Sequence, residues 1–205
     1  MRRPLLIAIL LGIASTALPD RLITIPLGRK ITFDTFKIDG FAELSNLGTW
    51  DRFVGFGISP EFEVDYHGER IDSGPTRDTL DLSYNYVTPI MNQSPGISVG
   101  VQDALNRMRG GRRFYVAATW RQAVDTIGTG NLPLEATLGV SQGSRTLPLV
   151  GVSLPFSQDL RLLAEDDGVR IASGIEFRLF KNALGVRLIV RDQDVMVGAN
   201  LTLRF

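Results

Sequence analysis

The segment VMVGANLTLRF, residues 195–205, alternates without a break: Val195, Val197, Ala199, Leu201, Leu203 and Phe205 fall on one face, and Met196, Gly198, Asn200, Thr202 and Arg204 on the other. A period of two belongs to a β-strand with unlike faces, because successive side chains leave a sheet on opposite sides. The pattern recurs along the chain. In VRIASGIEFRLF, Ile171, Ser173, Ile175, Phe177 and Leu179 oppose Arg170, Ala172, Gly174, Glu176 and Arg178. In ALGVRLIVR, Leu184, Val186, Leu188 and Val190 oppose Gly185, Arg187, Ile189 and Arg191. Earlier, TLDLSYNYV sets Leu80, Leu82, Tyr84 and Tyr86 against Asp81, Ser83 and Asn85, and EFEVDY sets Phe62, Val64 and Tyr66 against Glu61, Glu63 and Asp65. No convincing helical period follows residue 17, so the chain reads as all-β.

Turn chemistry separates these runs at short intervals: SP at 59–60, MNQSP at 91–95, SQGSR at 141–145, FSQD at 156–159, EDDG at 165–168, KNA at 181–183 and RDQD at 191–194. The punctuation yields about twelve strands, near 31–44, 49–58, 61–68, 78–90, 96–104, 112–121, 132–141, 147–155, 159–166, 168–180, 183–191 and 194–205. Strands joined consecutively by tight turns make an antiparallel meander.

The opening residues indicate where such a meander works. MRRPLLIAILLGIASTA carries two arginines, an apolar run and then small residues at Ser15 and Ala17, the layout of a cleavable secretory signal over residues 1–17. Residues 18–205 then form a single domain, in which losing Arg2 and Arg3 leaves 20 basic against 22 acidic residues. That balance argues against a nucleic-acid partner. There is no cysteine, so no disulfide framework holds the fold.

An exported meander has two solutions: a soluble sandwich or barrel with its apolar faces inward, or a membrane barrel with them outward toward lipid. Alternation alone does not separate the two. Four features favour the membrane barrel: strands long enough to cross a bilayer at a tilt, an even strand count, long connections on one side and the ending itself. The long connections are LSNLGTW, GERIDSGPTRD and NRMRGGRR; QAVDTIGTGNLPL is an exception on the other side. A terminal aromatic behind alternating apolar residues, Phe205 with Leu203 and Leu201, resembles the C-terminal signal that the barrel-assembly machinery of bacterial outer membranes reads. The expected architecture is a transmembrane β-barrel of about twelve strands in the outer membrane, in contact with its lipid.

A family resemblance accompanies this reading. LPLVGVSLPFSQDLRLLAEDDGVRIASGIEFRLF, residues 147–180, is similar to the barrel segment of YjbH-like proteins, as are TPIMNQSPGISVGVQD at 88–103 and RRFYVAATWR at 112–121. The likeness covers about residues 80–205, and the chain is much shorter than the long members of that family. It implies an outer-membrane protein linked to exopolysaccharide production or export, with polysaccharide as a partner and no catalytic residues to carry over.

If the apolar faces meet lipid, the polar faces place Glu61, Glu63, Asp65, Asp81, Glu135, Glu165 and Glu176 inside, with Arg121, Arg161, Arg170, Arg178, Arg187, Arg191 and Arg204. Acids lie mostly in early strands and bases in late ones, so closure would bring opposite charges across the lumen. Such a network narrows or plugs a small barrel by mutual pairing. A second reading is a polar lumen whose arginines guide an anionic or hydroxyl-rich glycan through their paired hydrogen bonds.

Enzymatic signals are weak. His67 is the only histidine, which excludes a metal site of several imidazoles, and it is expected to be a solvated residue at a strand end. GFG at 55–57 is followed by no helix that could hold phosphate. Glu61/Glu63 and Glu165/Asp166 imitate a glycosidase dyad but read as salt-bridge partners. The basic run RMRGGRR at 107–113 reads as a solvated loop or as a contact for anionic glycan or lipid phosphate, and Trp50, Trp120, Tyr84 and Tyr86 as part of an interfacial aromatic girdle or as ordinary strand packing. The expectation is a non-enzymatic envelope protein with no cofactor or metal, an accessory to polysaccharide production or export. A small pore and an exported soluble binding module are the alternatives, with a lipid-modifying barrel enzyme using His67 a third.

Overall fold

The computed structural model describes residues 21–28, 33–72, 74–126, 130–180 and 183–205; the expected signal segment, 1–17, lies outside them. Twelve strands follow one another: β1 (Thr35–Glu43), β2 (Trp50–Gly57), β3 (Phe62–Arg70), β4 (Arg77–Val87), β5 (Gly96–Gln102), β6 (Arg113–Thr126), β7 (Gly130–Gln142), β8 (Thr146–Pro155), β9 (Leu160–Asp166), β10 (Ile171–Leu179), β11 (Leu184–Arg191) and β12 (Asp194–Arg204). Each pairs antiparallel with its sequence neighbours, and β1 closes on β12 from Thr35↔Arg204 to Glu43↔Met196. The result is a closed meander barrel, and closure leaves no strand edge unpaired.

Even strand number puts both chain ends of the barrel wall at one rim, where the Phe205 amide donates to the Asp34 carbonyl at 2.9 Å. We call this the terminal end. The connections 44–49, 71–76, 103–112, 143–145, 167–170 and 192–193 lie at the opposite, loop end. The first three are the longer ones, as expected. The supposed exception, QAVDTIGTGNLPL, is not a loop. β6 and β7 pair from Phe114↔Gln142 down to Thr126↔Gly130, so most of that stretch is an extended hairpin with only 127–129 between its strands. Its Gly and Pro residues read as turn signals, but Pro133 sits within β7 and its carbonyl is used by Arg161 at 3.1 Å.

The alternation resolves into inside and outside. On β12, Met196, Gly198, Asn200 and Thr202 are buried while Val195 and Val197 are exposed; on β11, Arg187 and Ile189 are buried while Val186, Leu188 and Val190 are exposed. β8 repeats it, with Leu147, Leu149 and Ser153 inward and Val150, Val152 and Leu154 outward. The wall thus carries most of its valine and leucine side chains on the exterior and its charged and hydroxyl side chains within, together with a few apolar ones such as Leu149, Leu163 and Ile189. Exposed aromatics collect toward the terminal end: Phe56, Tyr84, Tyr86 and Phe177 near the ends of their strands, Phe156 and Phe180 in the adjoining turns, and Phe205. Trp120 also faces outward, as does Phe114 at the loop end of β6, whereas Trp50 starts β2 at the loop end beneath the Arg52 guanidinium, 4.9 Å from its ring.

Candidate functional site

A twelve-stranded barrel has a lumen to fill, and here residues 21–28 enter it. Leu22, Ile23, Ile25 and Leu27 are buried against the inward face of the wall, in one cluster with Phe41, Phe53, Tyr115, Leu149 and Leu163. Two glycines make room for this plug. A Cβ on Gly151 of β8 would stand 2.5 Å from the Ile25 Cδ1 and 2.7 Å from the Leu22 Cδ2. A Cβ on Gly28 would meet the Thr119 amide nitrogen at 2.6 Å, so the plug crosses the β5–β6 wall backbone to backbone.

Polar clamps fix the plug at three heights. The Arg21 guanidinium donates to Asp65 of β3 and Asp81 of β4, each at 2.8 Å, and lies 4.8 Å from the centre of the Phe53 ring. Glu165 of β9 accepts the backbone N–H groups of Ile23 at 2.9 Å and Thr24 at 2.8 Å, and the Thr24 hydroxyl at 2.6 Å. The Gly28 amide donates to the Thr119 hydroxyl at 2.6 Å, its carbonyl accepts from Asn85 at 3.1 Å, and the Leu27 carbonyl accepts from Ser98 at 2.7 Å. Buried backbone groups outside a sheet need such partners, and the inward polar face of the wall supplies them.

Two further clusters pair interior charges. Arg187 of β11 donates to Asp39 of β1 at 3.0 Å and to Glu176 of β10 at 2.6 Å; Arg178 also bonds Glu176, and Lys37 lies 3.3 Å from Asp39. Arg121 and Arg161 meet Glu135 at 3.2 and 3.8 Å, with Arg161 donating to the Ser153 hydroxyl at 2.8 Å. Glu63 is buried on the inward face of β3.

Several expected positions are corrected. Glu61 precedes β3 in an exposed turn rather than in the lumen; its carboxylate accepts from the Ser59 hydroxyl at 3.3 Å and its amide donates to that hydroxyl at 3.2 Å. Arg204 is exposed at the terminal rim. Arg170 lies in the 167–170 loop at the other mouth. The division into early acids and late bases accounts for Arg187 with Asp39 and for Arg191 with Asp51 at 2.7 Å; Asp65 and Asp81 are instead met by Arg21 of the plug. His67 is not a solvated loop residue. It stands within β3, faces inward, stacks on Phe53 with ring centres 4.1 Å apart, and places Nδ1 3.7 Å from Asp81.

Above the plug, a cavity of about 370 Å³ opens at the loop end. Arg21, Thr24 and Ile25 contribute its floor, the inward side chains of β2, β3 and β11 its wall, and the 103–112, 143–145 and 167–170 loops its rim. RMRGGRR therefore borders this mouth. Lys37, Asp39 and Asp51 were legible by period two, since they share their strands' polar faces; Arg21 carried no such signal, because RLITIPLG belongs to no strand of the wall. No protein-family model and no curated protein matches the chain.

Proposed function

We propose that this chain is a plugged outer-membrane β-barrel without catalytic function, an accessory to cell-envelope or exopolysaccharide production or export. One observation carries the membrane half: a closed wall whose outer surface is a continuous belt of Val, Leu, Ile and aromatic side chains around a polar interior. In water such a belt would far exceed the apolar patches that soluble monomers tolerate, whereas lipid is its natural solvent. This counts against the soluble binding module. The ring of exposed aromatics toward the terminal end suits a bilayer interface, and Phe205 within it, with Leu203 and Leu201 on the same face, suits an assembly signal for the barrel-assembly machinery.

The plug bears on the pore alternative. Apolar and polar contacts hold 21–28 across the lumen, so the resting protein is a closed barrel rather than a passive channel. The polysaccharide half rests on the likeness of residues 80–205 to YjbH-like barrels. Removing the gene from its own host and measuring secreted and cell-bound polysaccharide tests it. A deficit restored by the full chain sustains the role; an unchanged yield and composition would leave a barrel with no part in that process.

A further inference from the structure

The cavity at the loop end has an unequal charge chemistry. Six arginines and four carboxylates line it. Each of the carboxylates already has partners. Asp51 pairs with Arg191 at 2.7 Å. Asp103 accepts the amides of Arg107 at 2.7 Å and Met108 at 2.9 Å. Asp167 accepts the amides of Val169 at 2.8 Å and Arg170 at 2.7 Å. Glu69 takes the Arg109 amide at 3.3 Å and lies 4.0 Å from Arg77. By contrast, Arg109, Arg113, Arg145 and Arg170 have no ion-pair partner among the described residues. They come from three different loops and strand ends and converge on one cavity, beside apolar surface from Ile25, Leu149 and Val169.

From this we infer that the vestibule is a binding site for an oxyanion-bearing saccharide, a carboxylate or phosphate carried on one or two sugar rings. Guanidinium forks bind both oxyanions through paired, charge-assisted hydrogen bonds. A volume near 370 Å³ sits at the small end of ligand-binding cavities, which limits the occupant to that size or to the end of a longer chain. The site also depends on the plug. Arg21 and Thr24 form part of the floor, and the Asp81 carboxylate that holds Arg21 through one oxygen accepts the Asp103 amide through the other at 2.7 Å. The plug clamp and the basic 103–112 loop therefore share one carboxylate, so withdrawal of the plug disorganises the site above it.

The inference deepens the envelope role proposed above and rests on it for the orientation of the loop end toward the outside. Its test uses the full chain folded in detergent, first checked for a boiling-dependent gel shift. Binding of digalacturonate, glucose 1-phosphate and uncharged maltose is then measured by calorimetry at low salt and at about 0.5 M salt, where charge interactions are screened. The expected result is binding of one or both charged probes, at least tenfold over maltose and weakened by salt. Arg109→Ala with Arg145→Ala should weaken it about tenfold, on the scale of one lost charge-assisted hydrogen bond, while Arg204→Ala at the opposite rim leaves it unchanged. Preference for digalacturonate identifies an acidic polysaccharide as the source, and preference for glucose 1-phosphate a phosphorylated glycan. A barrel that shifts on boiling yet binds no charged probe, or binds it equally in the double variant, overturns the site and leaves the membrane reading intact.

Discussion

Arg187 shows how much one interior charge can decide. Its guanidinium is fully buried between Asp39 and Glu176, and it lies 5.5 Å from the Phe41 ring. Arg187→Ala would remove the cation that Asp39 and Glu176 share and leave them only Lys37 and Arg178, a loss of up to about 3–5 kcal/mol, the scale of a broken buried pair. A lowered urea midpoint of the detergent-folded barrel is the expected result; an unchanged midpoint would mean that water already reaches the cluster. Phe205→Ala removes the most exposed aromatic of the terminal ring, and the amount of assembled barrel per cell should fall while the stability of the molecules that do assemble changes little. Individual roles were unevenly legible. Glu63, Asp65, Asp81, Glu135, Glu165, Glu176 and Arg187 could be placed inside by counting in twos along their strands. Glu61, just before β3, and Arg204, the last residue of β12, obeyed the same count but lie exposed at the terminal rim, where the count carries no information on depth.

Among the elements, the plug is the one that the period-two pattern could not reveal. RLITIPLG carries apolar residues without a pairing partner in the meander, and its place is set by residues far away in sequence: Asp65, Asp81, Ser98, Thr119, Gly151 and Glu165. Burial of its four large apolar side chains contributes about 1.5–3 kcal/mol each. Ordering its backbone costs about 1–2 kcal/mol per residue. These nearly cancel, so the clamps decide whether the plug stays. Arg21→Ala combined with Glu165→Gln should therefore raise ion conductance in planar bilayers above that of the native protein, without loss of the boiling-dependent gel shift. Gly151→Leu should do the same by filling the space of Ile25 and Leu22. Native conductance equal to that of both variants would show that the plug does not close the lumen. The wall itself was readable almost strand by strand. The departure was the β6–β7 hairpin, where Gly and Pro within long paired strands imitate a loop, because turn composition says nothing about pairing across the hairpin.

At the scale of the whole molecule, the sequence pattern fixed two faces and left open which one met solvent. Folding into a closed barrel settles the geometry: charges, hydroxyls and the plug share the interior, and the apolar side chains encircle it. A water-soluble barrel would need the reverse. The direct measurement is fractionation of cells expressing the full chain, with the envelope fraction washed in alkaline carbonate and run on gels with and without boiling. The account predicts a protein that stays with the outer membrane through the wash and migrates differently once boiled, because a closed barrel in lipid resists detergent until its paired strands separate. A protein released into the soluble fraction, with the same mobility before and after boiling, would contradict it.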